Sequence, residues 1–226
     1  MKMPLSPKNE MNPYLPLIID FTDKNVVIFG GGAVGERKAK RFAGIANVTV
    51  VSSSLTPALR QMEKDGLILF IEKNLAELTD GEIFDGLSDA FLTVAATSDS
   101  AVNHRIVSMA KTAGVLANDT ENAGEVVLPS FIERGGLQIS ISSGGKSPAV
   151  TKYARMRIEE AIDENLELMI ELQNEMREYL KTAVPDQKIR QEILWEIMDD
   201  AEIWELLPAD FEKAKEKANF VIMKNL

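Results

Sequence analysis

The chain of 226 residues contains no cysteine and a single histidine, His104. The first absence excludes disulfides, thiolate metal sites and cysteine nucleophiles. The second excludes multi-histidine metal centres, so no metal ligand set is expected. A serine, histidine and acid triad would have to use His104, and no G-x-S-x-G elbow accompanies it, which leaves His104 as a packing or rim residue. Positive charge is also scarce: 25 Lys and Arg stand against 35 Asp and Glu, a net charge of −10. That balance argues against a nucleic-acid partner, because phosphate neutralisation needs a clustered basic surface. No apolar run approaches the length needed to span a bilayer, and the first ten residues lack a continuous apolar signal region. The expectation is a cytoplasmic protein with no membrane partner. With 45% hydrophobic residues the chain can bury a full core. Difficult chemistry is therefore expected of a bound cofactor, oriented by the protein.

What is present begins at residues 25 to 36, Asn-Val-Val-Ile-Phe-Gly-Gly-Gly-Ala-Val-Gly-Glu. An apolar run breaks into glycines and continues into a helix-like stretch. Gly30, Gly32 and Gly35 match G-x-G-x-x-G: one glycine for the tight turn, one for backbone approach to a pyrophosphate, one for helix packing on the strand. Ala33 and Val34 complete the turn, and phosphate is expected at the helix N-terminus, where unpaired N–H groups favour negative charge. A glycine turn can be purely structural, but a strand before it and a helix after it favour the nucleotide.

Further strands are expected at 47–52, 67–71, 90–96 and 115–118, separated by helical stretches at 33–43, 55–64, 75–84 and 99–112. Such alternation predicts an α/β fold, a Rossmann-like parallel sheet with helices on both faces. Ligand then binds beyond the strand ends, which sets Gly30 to Gly35, Ser52, Ser53, Ser54 and Thr97 on one rim. Past Glu125 the pattern becomes short strands at 126–128, 131–133 and 137–142, a small β unit whose edges invite a second subunit. Pro148 suits the first turn of a helix running to Leu180, with an apolar stripe at Ile162, Leu166, Met169, Met176 and Leu180 that serves the chain's own core or a coiled coil. Two more acidic helices, split near Pro208, complete a C-terminal helical region. The expected division is 1–124, 125–158 and 159–226. Between Arg134 and Ile158 stand five cations, Arg134, Lys146, Lys152, Arg155 and Arg157, and no acid. This window is an anion site or a solvated helix face.

Several segments together resemble precorrin-2 dehydrogenase, the module that also forms the N-terminal part of siroheme synthases. They are Tyr14-Leu-Pro-Leu17, Gly30-Gly-Gly-Ala-Val-Gly-Glu-Arg-Lys-Ala39, Ala95-Ala-Thr-Ser-Asp-Ser-Ala-Val-Asn103, Pro129-Ser130 and Ile141-Ser-Ser-Gly-Gly-Lys-Ser-Pro148. The resemblance covers residues 14 to 180. It implies NAD-dependent oxidation of precorrin-2 to sirohydrochlorin by a homodimer with a nucleotide-binding domain, a small dimerisation region and a helical region. Some members also insert ferrous iron, and a nucleotide-sensing module on the same fold is the alternative from another class.

The resemblance also gives the basic window a purpose, since the substrate is ringed by carboxylates. Lys146, Lys152 and Arg155 are its leading candidates, with Ser143 matching the serine of the Ser-Ser-Gly-Gly loop or simply capping that loop. The family's catalytic aspartate corresponds to Asp119 when counted back without gaps from Pro129. Anchoring on Asn118 instead selects Glu121, and an Asx turn or helix cap is the structural alternative for Asp119. The segment Val51-Ser-Ser-Ser-Leu55 lacks the acid that often holds the ribose hydroxyls, so NAD is expected through serine hydroxyls while NADP stays open.

Overall fold

A computed structural model describes residues 14–121 and 124–226. Its elements, in chain order, are β1 (Asn25–Phe29), α1 (Ala33–Phe42), β2 (Asn47–Ser52), α2 (Pro57–Lys64), β3 (Leu69–Glu72), α3 (Asp80–Leu87), β4 (Leu92–Ala95), α4 (Ser100–Ala113) and β5 (Leu116–Asp119). There follow β6 (Ser130–Arg134), β7 (Leu137–Ile141), α5 (Pro148–Ala161), α6 (Leu166–Ala183), α7 (Gln187–Asp199), α8 (Ala201–Leu206) and α9 (Phe211–Lys224). The chain divides into two compact units, one running to Leu128 and including Gly144–Lys146, the other formed by Pro129–Ser143 and Ser147–Leu226.

The first unit is the expected α/β fold. Its five strands are all parallel, in the order β3-β2-β1-β4-β5. Alternate β1 residues explain the two layers of helices: Val26 and Ile28 join one buried cluster with Val48, Val50, Leu59 and Phe42, whereas Val27 and Phe29 join another with Ile83, Leu87 and Ile106. A strand apolar on both faces must be covered on both. The order reverses beside β1, which has β2 on one side and β4 on the other, and that switch point is where such sheets open a crevice.

The second unit holds the antiparallel pair β6-β7 and a helical bundle in which Met169, Leu172, Met176 and Leu180 of α6 pack with Ile193, Ile197, Ala214 and Ile222. The stripe on α6 therefore serves the chain's own core. Several boundaries differ from expectation. The third strand lies two residues later than expected, at its start, and α3 begins only at Asp80, where Thr79 and Glu82 form a capping box. Residues 126–128 form no strand, although Val126 N donates to Ala117 O at 3.2 Å. The long helix from Pro148 breaks after Ala161, where the Asp163 carboxylate accepts from Asn165 N at 2.7 Å and competes with helical bonding. Residues 186–226 hold three helices rather than two, because Asp200 caps α8 through Glu202 N and Ile203 N. Among the described residues no helix is long and apolar enough to cross a membrane.

Candidate active site

The turn after β1 is interlocked with its neighbours backbone to backbone. Gly30 takes a φ of +123°, and a Cβ there would lie 2.3 Å from Ala96 O. At Gly35 a Cβ would lie 1.8 Å from Gly30 O, so helix α1 can pack on the turn only without a side chain. Gly31, left as a free position by the fingerprint, is equally constrained: a Cβ there would lie 2.1 Å from Ser54 O, and Gly31 O accepts from Thr56 N at 3.1 Å. The tripled glycine was the available signal for it.

Gly32 is different. It is exposed, a Cβ there would meet no atom within 4 Å, and no side chain caps α1 at this N-cap. An α1 N-terminus without a side-chain cap, with open space beside Gly32, is the arrangement that accepts a pyrophosphate. Ala33 is exposed beside it, and Val34 packs on the cluster beneath. A dinucleotide therefore fits this cradle. Within α1, Glu36 is held below the ordinary carboxylate range by hydrogen bonds from Lys40 and from the Thr56 hydroxyl. Burial lowers the Lys38 ammonium, with Arg41 and Arg37 adding to the effect.

Ser52 closes β2 and is buried, while Ser53 and Ser54 are exposed on the rim. Thr97 sits just past β4 with its polar groups engaged. Its N–H donates to Asn103 Oδ1 at 3.0 Å, its carbonyl accepts from Asn103 Nδ2 at 3.1 Å, and its hydroxyl accepts from Asp99 N at 3.1 Å. Asn103, fully buried on α4, is thus the residue that shapes this part of the rim. His104 beside it is exposed.

Asp119 ends β5. Phe29, Ala95 and Asp119 stand in one row across the sheet, two strand spacings or about 10 Å from the end of β1 to Asp119. The residue is 8% exposed, and its Oδ1 accepts from Glu121 N at 2.8 Å, so the Asx turn is present and occupies one carboxylate oxygen. Glu121 is exposed and lies beyond the strand. Around Asp119 the chain is tied at three points that periodicity could not reveal. Thr120 N and Oγ1 both donate to Ala95 O, at 3.3 and 2.9 Å; Asn118 Nδ2 donates to Val126 O at 2.8 Å; and the Tyr14 hydroxyl donates to Gly124 O at 2.9 Å. Asn118 Oδ1 is buried without a partner among the described residues, a condition that costs about 1–3 kcal/mol.

Ser143, Lys152 and Arg155 belong to the second unit, and Lys146 to the first. Ser143 Oγ accepts from Ser147 N at 2.9 Å and lies 3.2 Å from Thr151 Oγ1, so it caps the loop ahead of α5. Lys146 and Lys152 are exposed and form no ion pair among the described residues. Arg155 is paired with Glu159 at 2.7 Å and Arg157 with Glu160 at 2.5 Å. The window is free of acids in sequence, yet the helix folds its next two acids back onto it.

The chain is similar to known proteins in sequence and in fold. A family model described as "Putative NAD(P)-binding" matches residues 17–130, and one described as "Sirohaem biosynthesis protein central" matches residues 134–161. A protein named precorrin-2 dehydrogenase from Methanosarcina barkeri is 40% identical over 215 residues, 95% of this chain and 96% of the relative. Siroheme synthase 1 of Klebsiella pneumoniae is 31% identical over 91% of this chain, which spans 42% of that longer protein. The solved structure titled "SirC, precorrin-2 dehydrogenase" has a TM-score of 0.72 at 24% identity, covering 93% of this chain and all of that one, and so shares the fold. With the sequence likeness extending over nearly the whole length of both chains, this protein belongs to the precorrin-2 dehydrogenase family.

Proposed function

We propose that the chain catalyses NAD-dependent oxidation of precorrin-2 to sirohydrochlorin, a step of siroheme synthesis. The observation that carries this reading is one rim: an open, uncapped α1 N-terminus at Gly32 in the sheet that also ends, two strands away, in the nearly buried Asp119. Gly32, Ala33 and Val34 would hold the pyrophosphate, with Gly30 and Gly35 shaping the turn and Thr97 bordering it. Ser52, Ser53 and Ser54 would meet the adenosine ribose. Residues 52–59 carry neither an acid nor a cation, so this segment offers a 2′-phosphate no positive charge of its own. This favours NAD over NADP.

Bound NAD supplies the hydride acceptor. The oxidation also releases a proton, and Asp119 is the group we assign to receive it or to hold the pyrrole N–H. Its Asx-turn bond fixes one oxygen and thereby the plane of the carboxylate. Lys146 and Lys152 would meet the substrate's carboxylates, with Arg155 and Ser143 as further contacts. Unpaired ammonium groups suit that task better than Arg155, whose guanidinium already has a partner.

The same reading takes the protein as a cytoplasmic homodimer, with roles divided over 1–124, 125–158 and 159–226. Helix α5 supports the dimer: none of its 14 residues is buried, and Val150, Tyr153 and Met156 are exposed on it. The β6-β7 pair has two strands only, below what is stable alone. Anaerobic incubation with precorrin-2 and NAD tests the function. NADH and sirohydrochlorin should form one to one, whereas nucleotide binding without NADH formation would reassign the chain as a sensor.

A further inference from the structure

Asn118 stands where the fold alone would place an aliphatic side chain. Ile28, Val94 and Asn118 form one row across β1, β4 and β5, and the first two are wholly buried on the α1 face. Leu116 and Val126 pack against the same cluster. Into this apolar layer the chain sets a primary amide that is 5% exposed. Its orientation is fixed, because Nδ2 donates to Val126 O at 2.8 Å and a flipped amide would oppose two oxygens. Oδ1 is then buried without a partner among the described residues. A valine would pack this position without an orphan acceptor, so the amide serves something other than the core.

What it serves is next to it. Val126 is tied to β5 at both ends of its backbone, by its own N–H on Ala117 O and by Asn118 on its carbonyl. That stretch closes against the residue following Asn118, for a Cβ at Gly124 would lie within 3.7 Å of Asp119 N and Asp119 Cβ. We infer that Asn118 is a positioning residue for Asp119: its amide holds Val126 on the end of β5 and so fixes the backbone that presents the carboxylate. This rests on the assignment of Asp119 above.

Asn118→Val tests it, measured beside Asp119→Asn, with NAD affinity by calorimetry, melting temperature, and kcat and KM for precorrin-2. The expected result for Asn118→Val is a folded protein with parental NAD affinity, KM within about two-fold and kcat lowered about ten-fold or more, the cost of a misplaced reacting group. Should the valine variant fail to fold, Asn118→Leu, which matches the amide in size and offers no donor to Val126 O, carries the same measurement with the same expectation. Parental kcat and KM with only the melting temperature changed would overturn the inference and make the amide a feature of the fold. If Asp119→Asn turns over like the parent, the assignment of Asp119 fails and the inference falls with it; if Asp119→Asn is inactive while Asn118→Val is parental, only the inference falls.

Discussion

The rim of the nucleotide unit and the segment from Pro129 to Ala161 carry their candidate residues in opposite ways. On the rim most of these positions are set by backbone, Gly30 against Ala96 O, Gly31 against Ser54 O, Gly35 against Gly30 O and Asp119 by the Glu121 N–H, while the buried Asn103 side chain holds Thr97. In the other segment Lys146, Lys152 and Arg157 are exposed and α5 buries nothing. The glycine turn is built from steric necessity, whereas the cations of the other segment are carried on long side chains. The difference also says which substitutions should destroy the protein and which should only tune it.

The largest effect is expected at Gly35→Ala, whose Cβ has only backbone to displace; destabilisation of about 3 kcal/mol or more should appear in denaturant unfolding. Gly32→Val sharpens the contrast within the same turn. It enters open space and should leave the melting temperature within a few degrees, yet it takes the room of the pyrophosphate and should weaken NAD binding by at least about ten-fold in calorimetry. In the second segment Tyr153→Glu, at a residue 65% exposed, should shift the protein from dimer to monomer in sedimentation without altering its helical content. The smallest effect is expected at Lys152→Glu: a rise of a few-fold in KM for precorrin-2, diminishing in high salt, with NAD affinity unchanged. If Lys152→Glu instead abolished NAD binding, the division between backbone-built and side-chain-built sites would be lost.

The same division explains what could be read before the fold was seen. β1, β2 and β4 lie close to where apolar runs placed them, because a strand buried on both faces is a continuous apolar word. Gly30 and Gly35 are legible since only glycine meets their steric demand, and Gly32 is legible from the spacing of the fingerprint alone. The break after Ala161 was not, because apolar spacing continues past it while Asp163 and Asn165 rebuild the backbone locally. Charge misled most. The stretch from Arg134 to Ile158 lacks acids, but Glu159 and Glu160 lie one helical turn from Arg155 and Arg157 and pair with them. The Tyr14 to Gly124 and Thr120 to Ala95 bonds span 110 and 25 positions, so no local pattern could announce them. Asn118 carries no local signal of its role, whose meaning lies in Val126 O, eight residues on.

The central claim is that the chemistry stands on the rim at Asp119. Asp119→Asn tests it most directly, because the amide keeps an oxygen to accept the Glu121 N–H and so preserves the turn while removing the proton acceptor. Measured together, NAD affinity and melting temperature should match the parent while precorrin-2 turnover falls about 10²- to 10⁴-fold, the usual loss for a general base. Turnover within two- or three-fold of the parent, with NAD bound normally, would contradict the account and leave Asp119 as the cap of a turn.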